Sequence, residues 1–536
     1  MVARLTRDSE TMKWRWRSPK LLGAGLPKLL TSFSTAAITK PEHKLRMSTS
    51  VPIDRAWSPD NFSELAGIWK QRLTDHLRSV QSRNENALNW ASPQETVRAA
   101  DALLDKSIDG EPLPSRFDTL IRHILDNGQN LQHPRYIGHQ VPANVPLAAL
   151  FDAVGSVTNQ VMAVYEMGPW ATAVECALVK RMCGKIGWNS ESSGGLLTSG
   201  GSIANLTALL TARNFALPDC WETGVSHDAV LVSHPDAHYS ISRTAGILGL
   251  GTQQLIRTSI DNERHLEPKK LDRQLTQLHA AGKTVIALVA CSCATPIGAF
   301  DDLQAIADVC EQHGVWLHVD AAHGGGALMS RTHCDKLSGI DRADSVVWDA
   351  HKMMFVPALC AAVLYRDGDH RFETFRQDAP YLFDPSNPGL AEYDSGVSTI
   401  ECTKRALGFG LWGVWSLFGE QLFEDMIDRT FERGHQLWAL LNQAEDFETL
   451  HEPECNIVAF RFMPETICHS ASDEQDAFQF ELRTRLIQSG DFYVVQAKIN
   501  GRSVLRACVM NPLTTEDDLQ ELLVAIRRHA AKIIEC

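Results

Sequence analysis

The feature that most constrains the fold is a regular alternation of strand-like and helix-like segments between residues 194 and 366. The strand-like runs are short and apolar: Ala229–Ser233, Gln254–Thr258, Thr284–Ala290, Val315–Asp320, Ser345–Trp348 and Ala361–Tyr365. Strands that alternate with helices are typically joined by crossover connections, which place the strands in parallel and cover both faces of the sheet. The sequence therefore predicts an α/β fold built around a large, mostly parallel sheet.

The regions flanking this alternation have different patterns, which divide the chain into four parts. Residues 1–50 form a basic tail, residues 51–130 a helical arm, residues 131–402 the large α/β domain and residues 403–536 a smaller C-terminal α/β domain. Helical stretches are predicted over Leu147–Ile186 and from about Thr403 onwards. The last part contains the strand-like runs Asn456–Phe462, Phe492–Lys498 and Val504–Met510, followed by a helix over Thr515–Ala531 capped by Thr514 or Thr515.

Charge is distributed unevenly along the chain. Residues 1–50 hold ten basic and three acidic residues, whereas the whole chain has a net charge of −14. The acidic body argues against nucleic-acid binding, which requires a basic face. The basic head has the composition of an organelle transit peptide, and also that of a disordered tail or of an overlong start before Met47 as the true initiator. We expect a cytoplasmic protein, with organelle targeting as the alternative.

Three further properties limit the class of protein. No stretch approaches about eighteen uninterrupted apolar residues, so we expect no membrane span. The thirteen cysteines are scattered without a CxxC pair, which favours a reducing compartment over a disulfide framework. An apolar fraction of 44% allows a large core, so no structural metal is needed and we predict no metal site.

A glycine-rich turn precedes one of the predicted helices, in Thr198-Ser199-Gly200-Gly201-Ser202. A Gly-Gly-Ser turn at a helix N-terminus offers free backbone N–H groups, the positive end of the helix dipole and a hydroxyl donor, which together bind phosphate. A capped helix after a tight turn is the alternative. The spacing matches neither Walker A nor GxGxxG, which argues against a nucleotide phosphate.

Polar residues follow three of the predicted strands. Asp320 lies at a strand end, where a carboxylate can pair with a protonated ring nitrogen, and the small Ala322 leaves room for a flat ring. His351 and Lys352 follow Ser345–Trp348. His238 follows Ala229–Ser233 and could stack on a planar cofactor. Taken singly, each residue fits an ordinary loop or strand end.

The combination of these residues is more specific than any one of them. A phosphate cradle, a stacking histidine, a carboxylate and a lysine each follow a strand within one α/β domain. These groups supply the anchor, the ring cover, the partner of the electron sink and the covalent tether that pyridoxal 5'-phosphate requires. The sequence therefore predicts a pyridoxal-phosphate enzyme.

These motifs resemble those of the group II pyridoxal-phosphate-dependent amino-acid decarboxylases, which include glutamate, cysteine-sulfinate, aromatic-amino-acid and 2,4-diaminobutyrate decarboxylases. The resemblance runs from about His133 to the C-terminus and is strongest in HVDAAHGG, DSVVWDAHKMM and TSGGSIANLTALL. The spacing of 32 residues from Asp320 to Lys352 also agrees. The resemblance implies fold type I, the aspartate-aminotransferase-like fold.

The resemblance also implies roles for individual residues. Lys352 would form the Schiff base with the cofactor, and Asp320 would hold the pyridine nitrogen protonated. His238 would stack on the ring face opposite Ala322. The other implied cofactor contacts are Gly201 and Ser202 at the phosphate, Thr295 near the cofactor, and His351 between the phosphate and the reacting centre.

Two further matches imply the reaction type. Tyr381, in Tyr381-Leu382-Phe383, resembles the mobile-loop tyrosine that protonates the carbanion left after CO2 departs, a role that His238 could also fill. That loop usually comes from the neighbouring subunit, which implies a homodimer with its active site at the interface. Arg506 matches the arginine that binds the substrate α-carboxylate, and an ion pair at the domain seam is the alternative.

Departures from the family pattern leave the substrate open between an acidic amino acid and a diaminobutyrate-type one. An Asn-Gln pair associated with side-chain acid recognition is replaced by Gly138-His139. Asp349 stands before Ala350-His351-Lys352, where it could favour a cationic substrate or orient His351. The alternatives to a decarboxylase are another fold-type-I lyase and a regulatory paralogue without activity.

Overall fold

The computed structural model describes residues 52–106, 110–375 and 391–535. The chain divides into two compact units, Met1–Phe62 and Ser63–Cys536. In the first unit the described residues form helix α1 (Pro52–Ala56) and the start of α2 (Pro59–Gln81). Across the described ranges, we find no helix that combines the length and the apolar character needed to cross a membrane.

The remaining elements belong to the second unit. Its helices are α3 (Pro93–Asp105), α4 (Leu113–Asn127), α5 (Pro146–Thr158), α6 (Pro169–Ile186), α7 (Gly201–Ala216), α8 (Cys220–Thr223), α9 (Tyr239–Ile247), α10 (Pro268–Ala280), α11 (Leu303–His313), α12 (Ala350–Met353), α13 (Phe409–Phe418), α14 (Gln421–Gln443), α15 (Glu465–Cys468), α16 (Ser472–Ser489) and α17 (Glu516–Ile534). Its strands are β1 (Val161–Met162), β2 (Gly194–Thr198), β3 (Ala229–Ser233), β4 (Leu255–Arg257), β5 (Thr284–Cys291), β6 (Trp316–Asp320), β7 (Ser345–Asp349), β8 (Ala361–Tyr365), β9 (Lys404–Arg405), β10 (Phe447–Thr449), β11 (Ile457–Phe462), β12 (Val495–Ile499) and β13 (Arg502–Cys508).

Seven strands form the large sheet in the order β2-β8-β7-β6-β5-β3-β4. All pairings from β7 to β4 are parallel, and only β8 runs antiparallel to its two neighbours. The prediction of a mostly parallel sheet is therefore confirmed. Two of the predicted strands, β3 and β8, have the bounds read from the sequence.

The core lies on both faces of this sheet. Along β3, Val230 and Val232 pack into one apolar cluster while Leu231 packs into the other. Neighbours Val346 and Val347 in β7 divide between the clusters in the same way. Because successive strand residues point to opposite faces, strands buried on both faces must be apolar throughout. Burial of each such side chain contributes about 1.5–3 kcal/mol.

Strand β2 was missed in the sequence because it begins with two glycines, which are poor strand formers. The structure shows why a glycine is needed there. A Cβ on Gly195 would lie only 2.2 Å from the carbonyl oxygen of Val363 in β8. The close approach of two backbones therefore overrides the ordinary preference of the residue for turns.

Two predicted helical stretches are wrong in their extent. The stretch Leu147–Ile186 is interrupted after Thr158, where Asn159 adopts a left-handed conformation with φ of 51°. The intervening residues form β1, which pairs antiparallel with β9. The helix expected from about Thr403 begins only at Phe409, because the residues before it belong to β9 and to the connection between β9 and the helix.

The smaller sheet is antiparallel throughout, with the strand order β10-β11-β13-β12. Its core combines strand residues with apolar residues from α14, α16 and α17. Strand β10 and helix α16 were not predicted. Of the two proposed caps for the last helix, Thr515 is the one observed, since its hydroxyl accepts a hydrogen bond from the Asp518 backbone N–H.

Candidate active site

A cavity of about 410 Å³ lies where β6, β7 and the N-terminus of α7 meet. Open α/β sheets place their ligands at this carboxyl edge. The cavity brings together all eight residues that the sequence analysis assigned to the cofactor, although they come from separate segments. They are Gly201, Ser202, His238, Thr295, Asp320, Ala322, His351 and Lys352.

The N-terminus of α7 opens directly onto the cavity. Gly200, its N-cap, has φ of 115°, a conformation that strongly favours glycine. No side chain caps the helix, so the first backbone N–H groups are left for a ligand. A Cβ on Gly201 would lie 2.7 Å from Oδ2 of Asp349, so the absence of a side chain permits this contact. The turn thus has the features of an anion cradle.

Asp320 ends β6 and is 7% exposed. Its Oδ2 accepts a hydrogen bond of 3.0 Å from Nδ2 of Asn205, and its Oδ1 accepts one of 3.2 Å from the Ala322 backbone N–H. The carboxylate is therefore fixed in position from two sides. Asn205 was not identified as a site residue in the sequence, although a buried amide on the apolar helix α7 was a usable signal.

Asn205 is itself held by a second layer of polar residues. Its Oδ1 accepts a 2.9 Å hydrogen bond from Nε2 of His318, whose Nδ1 lies 2.8 Å from the hydroxyl of Ser345. Burial lowers the pKa of His318 to about 4, so its ring is neutral near pH 7. A neutral ring with a proton on Nε2 satisfies both contacts.

His238 is joined to the same network through Ser240. The Ser240 hydroxyl lies 2.9 Å from Nδ1 of His238 and accepts a 3.1 Å hydrogen bond from Nδ2 of Asn205. Nδ1 of His238 also accepts a hydrogen bond from the Ser240 backbone N–H. Burial lowers the pKa of His238, which keeps the ring neutral near pH 7. One amide thus connects the imidazole with the carboxylate of Asp320.

Lys352 lies in the short helix α12, directly after β7. Its Nζ is 3.3 Å from Oδ2 of Asp349, and the same oxygen is 3.6 Å from Nε2 of His351. The other oxygen of Asp349, Oδ1, is buried without a hydrogen-bond partner among the described residues. Asp349 therefore lies at ion-pair distance from Lys352, whereas the ring of His351 is held by the 2.9 Å contact of its Nδ1 with the carbonyl oxygen of Cys360.

Arg506 lies in β13, an inner strand of the smaller sheet, paired with both β11 and β12. It does not belong to the lining of the cavity. The residue is 5% exposed, and its Nε and Nη2 are buried without hydrogen-bond partners in the part of the chain that the structure describes. The ion pair proposed as the alternative for Arg506 is not found among the described residues. Tyr381 lies outside them.

The cavity fits pyridoxal phosphate in several independent respects. The uncapped start of α7 offers N–H groups to a phosphate. Asp320 offers a fixed carboxylate to a ring nitrogen, and Lys352 offers a primary amine for a Schiff base. The volume of about 410 Å³ is within the range of small-molecule sites.

Comparison with known proteins agrees with this chemistry. The family model described as the pyridoxal-dependent decarboxylase conserved domain matches residues 95–463. The human acidic amino acid decarboxylase GADL1 is 31% identical over 450 residues, which cover 82% of this chain and 85% of that protein. The cysteine sulfinic acid decarboxylase of rat is 31% identical over 466 residues, covering 85% of this chain and 93% of that protein.

The crystal structure of mouse CSAD has a TM-score of 0.81 and 30% sequence identity. The match covers 88% of this chain and 99% of that structure. The predicted fold class and the predicted cofactor are thereby confirmed. This chain belongs to the pyridoxal-dependent decarboxylase family, and it is a pyridoxal-phosphate-dependent enzyme that decarboxylates an amino acid.

Proposed function

We propose that this enzyme decarboxylates a short acidic L-amino acid of the aspartate or cysteine-sulfinate type, and that it does so as a homodimer. The observation that carries the substrate class is the similarity to an acidic amino acid decarboxylase and to a cysteine sulfinic acid decarboxylase. The guanidinium of Arg506 supports the binding of an amino-acid carboxylate, because it is buried and two of its nitrogens have no hydrogen-bond partner among the described residues. A buried cation without a counter-ion is costly, so a site of this kind favours an anionic ligand.

The surroundings of Arg506 are positively charged, which suits a carboxylate ligand. Burial, followed by the positive charge of Arg506 and Arg483, lowers the pKa of His139. This imidazole is therefore neutral near pH 7, and the two arginines supply the positive charge of the region. The carboxylate of Asp349, which could have attracted a cationic side chain, lies 3.3 Å from Nζ of Lys352. Its Oδ1, which has no hydrogen-bond partner among the described residues, favours a diaminobutyrate-type substrate instead.

Different residues of the cavity would hold different parts of the cofactor. Gly201 and Ser202 would bind its phosphate at the start of α7, and Lys352 would tether it covalently. Asp320, fixed by Asn205, would keep a proton on the ring nitrogen. Bound pyridoxal phosphate supplies an electron sink for the electron pair that remains when CO2 departs.

Other residues act on the substrate. Arg506 binds its α-carboxylate through charge-assisted hydrogen bonds. His238 and Ala322 would cover the two faces of the cofactor ring, and Thr295 and His351 would lie beside it. Tyr381 delivers the proton to the α-carbon, with His238 as the alternative donor. Replacement Tyr381→Phe should then lower kcat while the cofactor spectrum stays unchanged.

A homodimer is supported by apolar side chains left exposed on α5. Leu147, Leu150, Val154 and Val157 are 42%, 50%, 58% and 64% exposed, and their spacing places them on one side of the helix. Exposed apolar stripes of this kind are typical of protein interfaces. In the proposed dimer Tyr381 would serve the active site of the neighbouring subunit.

The substrate is tested by assaying the purified, cofactor-loaded enzyme for CO2 and amine production. The panel comprises aspartate, cysteine sulfinate, glutamate, diaminobutyrate and tyrosine. We expect the highest kcat/KM for aspartate or cysteine sulfinate. A clear preference for diaminobutyrate or tyrosine would contradict the proposal. The variant Lys352→Ala should lose both turnover and the visible absorption of the bound cofactor, whereas the exposed-site control Lys498→Ala should retain both.

A matched pair of variants tests the part played by Arg506. Arg506→Gln removes the charge and should lower kcat/KM roughly 10- to 150-fold, which corresponds to about 1.5–3 kcal/mol of lost transition-state stabilisation. Arg506→Lys keeps the charge but loses the planar fork, and should recover part of the activity. Equal activity of all three proteins would show that Arg506 does not bind the substrate.

A further inference from the structure

A cluster of two cysteines and one histidine lies beside the cofactor cavity, and the decarboxylation described above does not use it. It consists of Cys293, His323 and Cys455, which are 7%, 2% and 0% exposed, respectively. One donor atom from each residue lies within 4.8 Å of the other two. The two sulfur atoms are 3.9 Å apart.

The cluster is assembled from distant parts of the chain. Cys293 follows β5 and His323 follows β6 of the large sheet, whereas Cys455 precedes β11 of the smaller one. The chain passes close to Cys455 at Gly298, where an added Cβ would lie 2.3 Å from the cysteine sulfur. The two sheets therefore meet at this cluster. Cys293 and His323 also line the cavity, which gives the cluster one accessible side.

The imidazole of His323 is oriented with one nitrogen free. Its Nε2 lies 2.9 Å from Oδ1 of Asn456, and Nδ2 of Asn456 in turn donates to the sulfur of Met353 at 3.2 Å. These contacts place the proton of the neutral ring on Nε2 and a lone pair on Nδ1. Nδ1 is buried and has no hydrogen-bond partner within the described ranges of the chain. A histidine whose second nitrogen is fixed by an amide oxygen is the usual arrangement of a metal ligand.

We propose that Cys293, His323 and Cys455 form a binding site for one thiophilic divalent cation of the Zn²⁺ class. Tetrahedral zinc with Zn–S bonds of about 2.3 Å requires sulfur atoms about 3.8 Å apart, close to the separation of 3.9 Å between these two. Two thiolates neutralise the double positive charge, so the occupied site carries no net charge in the core. The fourth position faces the cavity and is filled by water.

The bound cation joins the two sheets. It ligates residues after β5 and β6 together with the residue that leads into β11, so it stabilises the folded state against separation of these elements. Its function is structural and lies outside the chemistry of decarboxylation. The site also revises the expectation from composition that the chain needs no metal.

The proposal is tested with Co²⁺, which takes the place of Zn²⁺ in thiolate sites and is coloured. The reduced, cofactor-loaded enzyme is stripped with a chelator and titrated with Co²⁺ alone. We expect one equivalent to bind, with thiolate-to-cobalt charge transfer and tetrahedral d–d bands to the red of the cofactor absorption. Zn²⁺ should displace the Co²⁺ and raise the thermal midpoint.

Four variants separate the site from incidental binding. Cys455→Ser and His323→Ala should abolish the cobalt bands, whereas Cys310→Ser, at another buried cysteine, should leave them unchanged. Asn456→Ala should weaken the affinity roughly 10- to 100-fold, because it removes the group that orients His323. Circular dichroism and the cofactor spectrum check that each variant is folded, and Cys293→Ser replaces Cys455→Ser if the latter does not fold.

Two results would overturn the proposal. One is the absence of a thiolate–cobalt band in the reduced wild-type enzyme, and the other is undiminished binding in both ligand variants. If the wild-type enzyme binds no metal but loses two hydrogens in mass after peroxide treatment, with Cys293 and Cys455 found linked, the pair forms a disulfide and the metal site is excluded.

Discussion

At the scale of single residues, Asn205 connects the parts of the active site. Its amide donates to Asp320 and to Ser240, and it accepts from His318. Because Ser240 also contacts His238, one side chain determines the position of both the carboxylate and the imidazole beside the cavity. A buried amide with all its partners in place is a rigid support, and loss of the amide leaves several polar groups unsatisfied.

The replacement Asn205→Ala tests this support. We expect weaker retention of the cofactor on dialysis. We also expect kcat/KM to fall roughly 10- to 150-fold, which corresponds to about 1.5–3 kcal/mol of transition-state stabilisation, because Asp320 loses a hydrogen bond to its charge. Thr211→Val on the same helix removes a buried hydrogen bond to Tyr365 away from the cavity and serves as the control. Equal cofactor retention in both variants would contradict the role of Asn205.

At the scale of elements, the start of α7 lies directly against the end of β7. Gly201 opens the helix where the carboxylate of Asp349 approaches, and no side chain caps the helix. The phosphate cradle therefore depends on a glycine at this point, as well as on the helix dipole. This contact could not be predicted, since the two residues are far apart in the sequence.

The replacement Gly201→Ala should disturb this contact. Its Cβ would lie 2.7 Å and 2.9 Å from the two oxygens of Asp349, which must then move. We expect a cost of about 1–3 kcal/mol, seen as roughly 5- to 150-fold weaker binding of pyridoxal phosphate in a fluorescence titration. Gly246→Ala in α9 is the control, since nothing lies within 4 Å of its added methyl group.

A second element, α17, is anchored through its first turn. Asp518 is 1% exposed and binds Arg83 and Arg135, in addition to the Thr515 cap. Burial opposes the ionisation of Asp518, but these hydrogen bonds outweigh it and lower its pKa well below 3.8. The carboxylate thereby ties the C-terminal helix to the helical segment that ends near Arg83.

This anchor makes stability depend on pH. Since the folded-state pKa of Asp518 is below the unfolded value near 3.8, its contribution is complete above that pH and is lost as the pH falls towards the folded value. Asp518→Asn should lower the free energy of unfolding by about 2 kcal/mol at pH 7 in urea titrations. The difference from wild type should shrink below pH 3.8, whereas the exposed neighbour control Asp517→Asn should show little effect at any pH.

At the scale of the whole molecule, α5 carries one of the apolar faces that stay exposed among the described residues of a single copy. Its exposed residues extend along the helix from Leu147 to Val157. Among the described residues, exposed apolar side chains also occur at the end of α13, at Leu417 and Phe418. A second copy that covers these side chains would complete the apolar packing.

The replacement Val154→Glu tests the dimer. A carboxylate buried without a partner costs about 3–5 kcal/mol, so the dissociation constant should rise by about two orders of magnitude or more. Analytical ultracentrifugation should show a monomer, and activity should fall together with the dimer. Leu104→Glu, at a site 84% exposed in α3, should leave both unchanged. A fully active monomeric variant would exclude an interface active site.

The sequence by itself determined the mostly parallel sheet and the approximate positions of six of its seven strands. Apolar runs buried on both faces have a local signature, and a polar residue after such a run lies near the edge of the sheet. Asp320 and Lys352 were found in this way, and the motifs around them, together with their spacing, carried the resemblance to the family. The sequence also narrowed the cap of α17 to two threonines, because a helix cap depends on neighbours three residues apart.

Only the tertiary structure decided the contacts between residues far apart in the chain. Strand β2 was hidden because Gly195 is required by the neighbouring backbone and has no local signature. The support of Asp320 by Asn205 and the meeting of Cys293, His323 and Cys455 depend on how separate segments are brought together. A sequence pattern reflects the local environment of each segment, such as burial on one or both faces. The orientation of a buried polar side chain depends instead on the partner that folding places beside it.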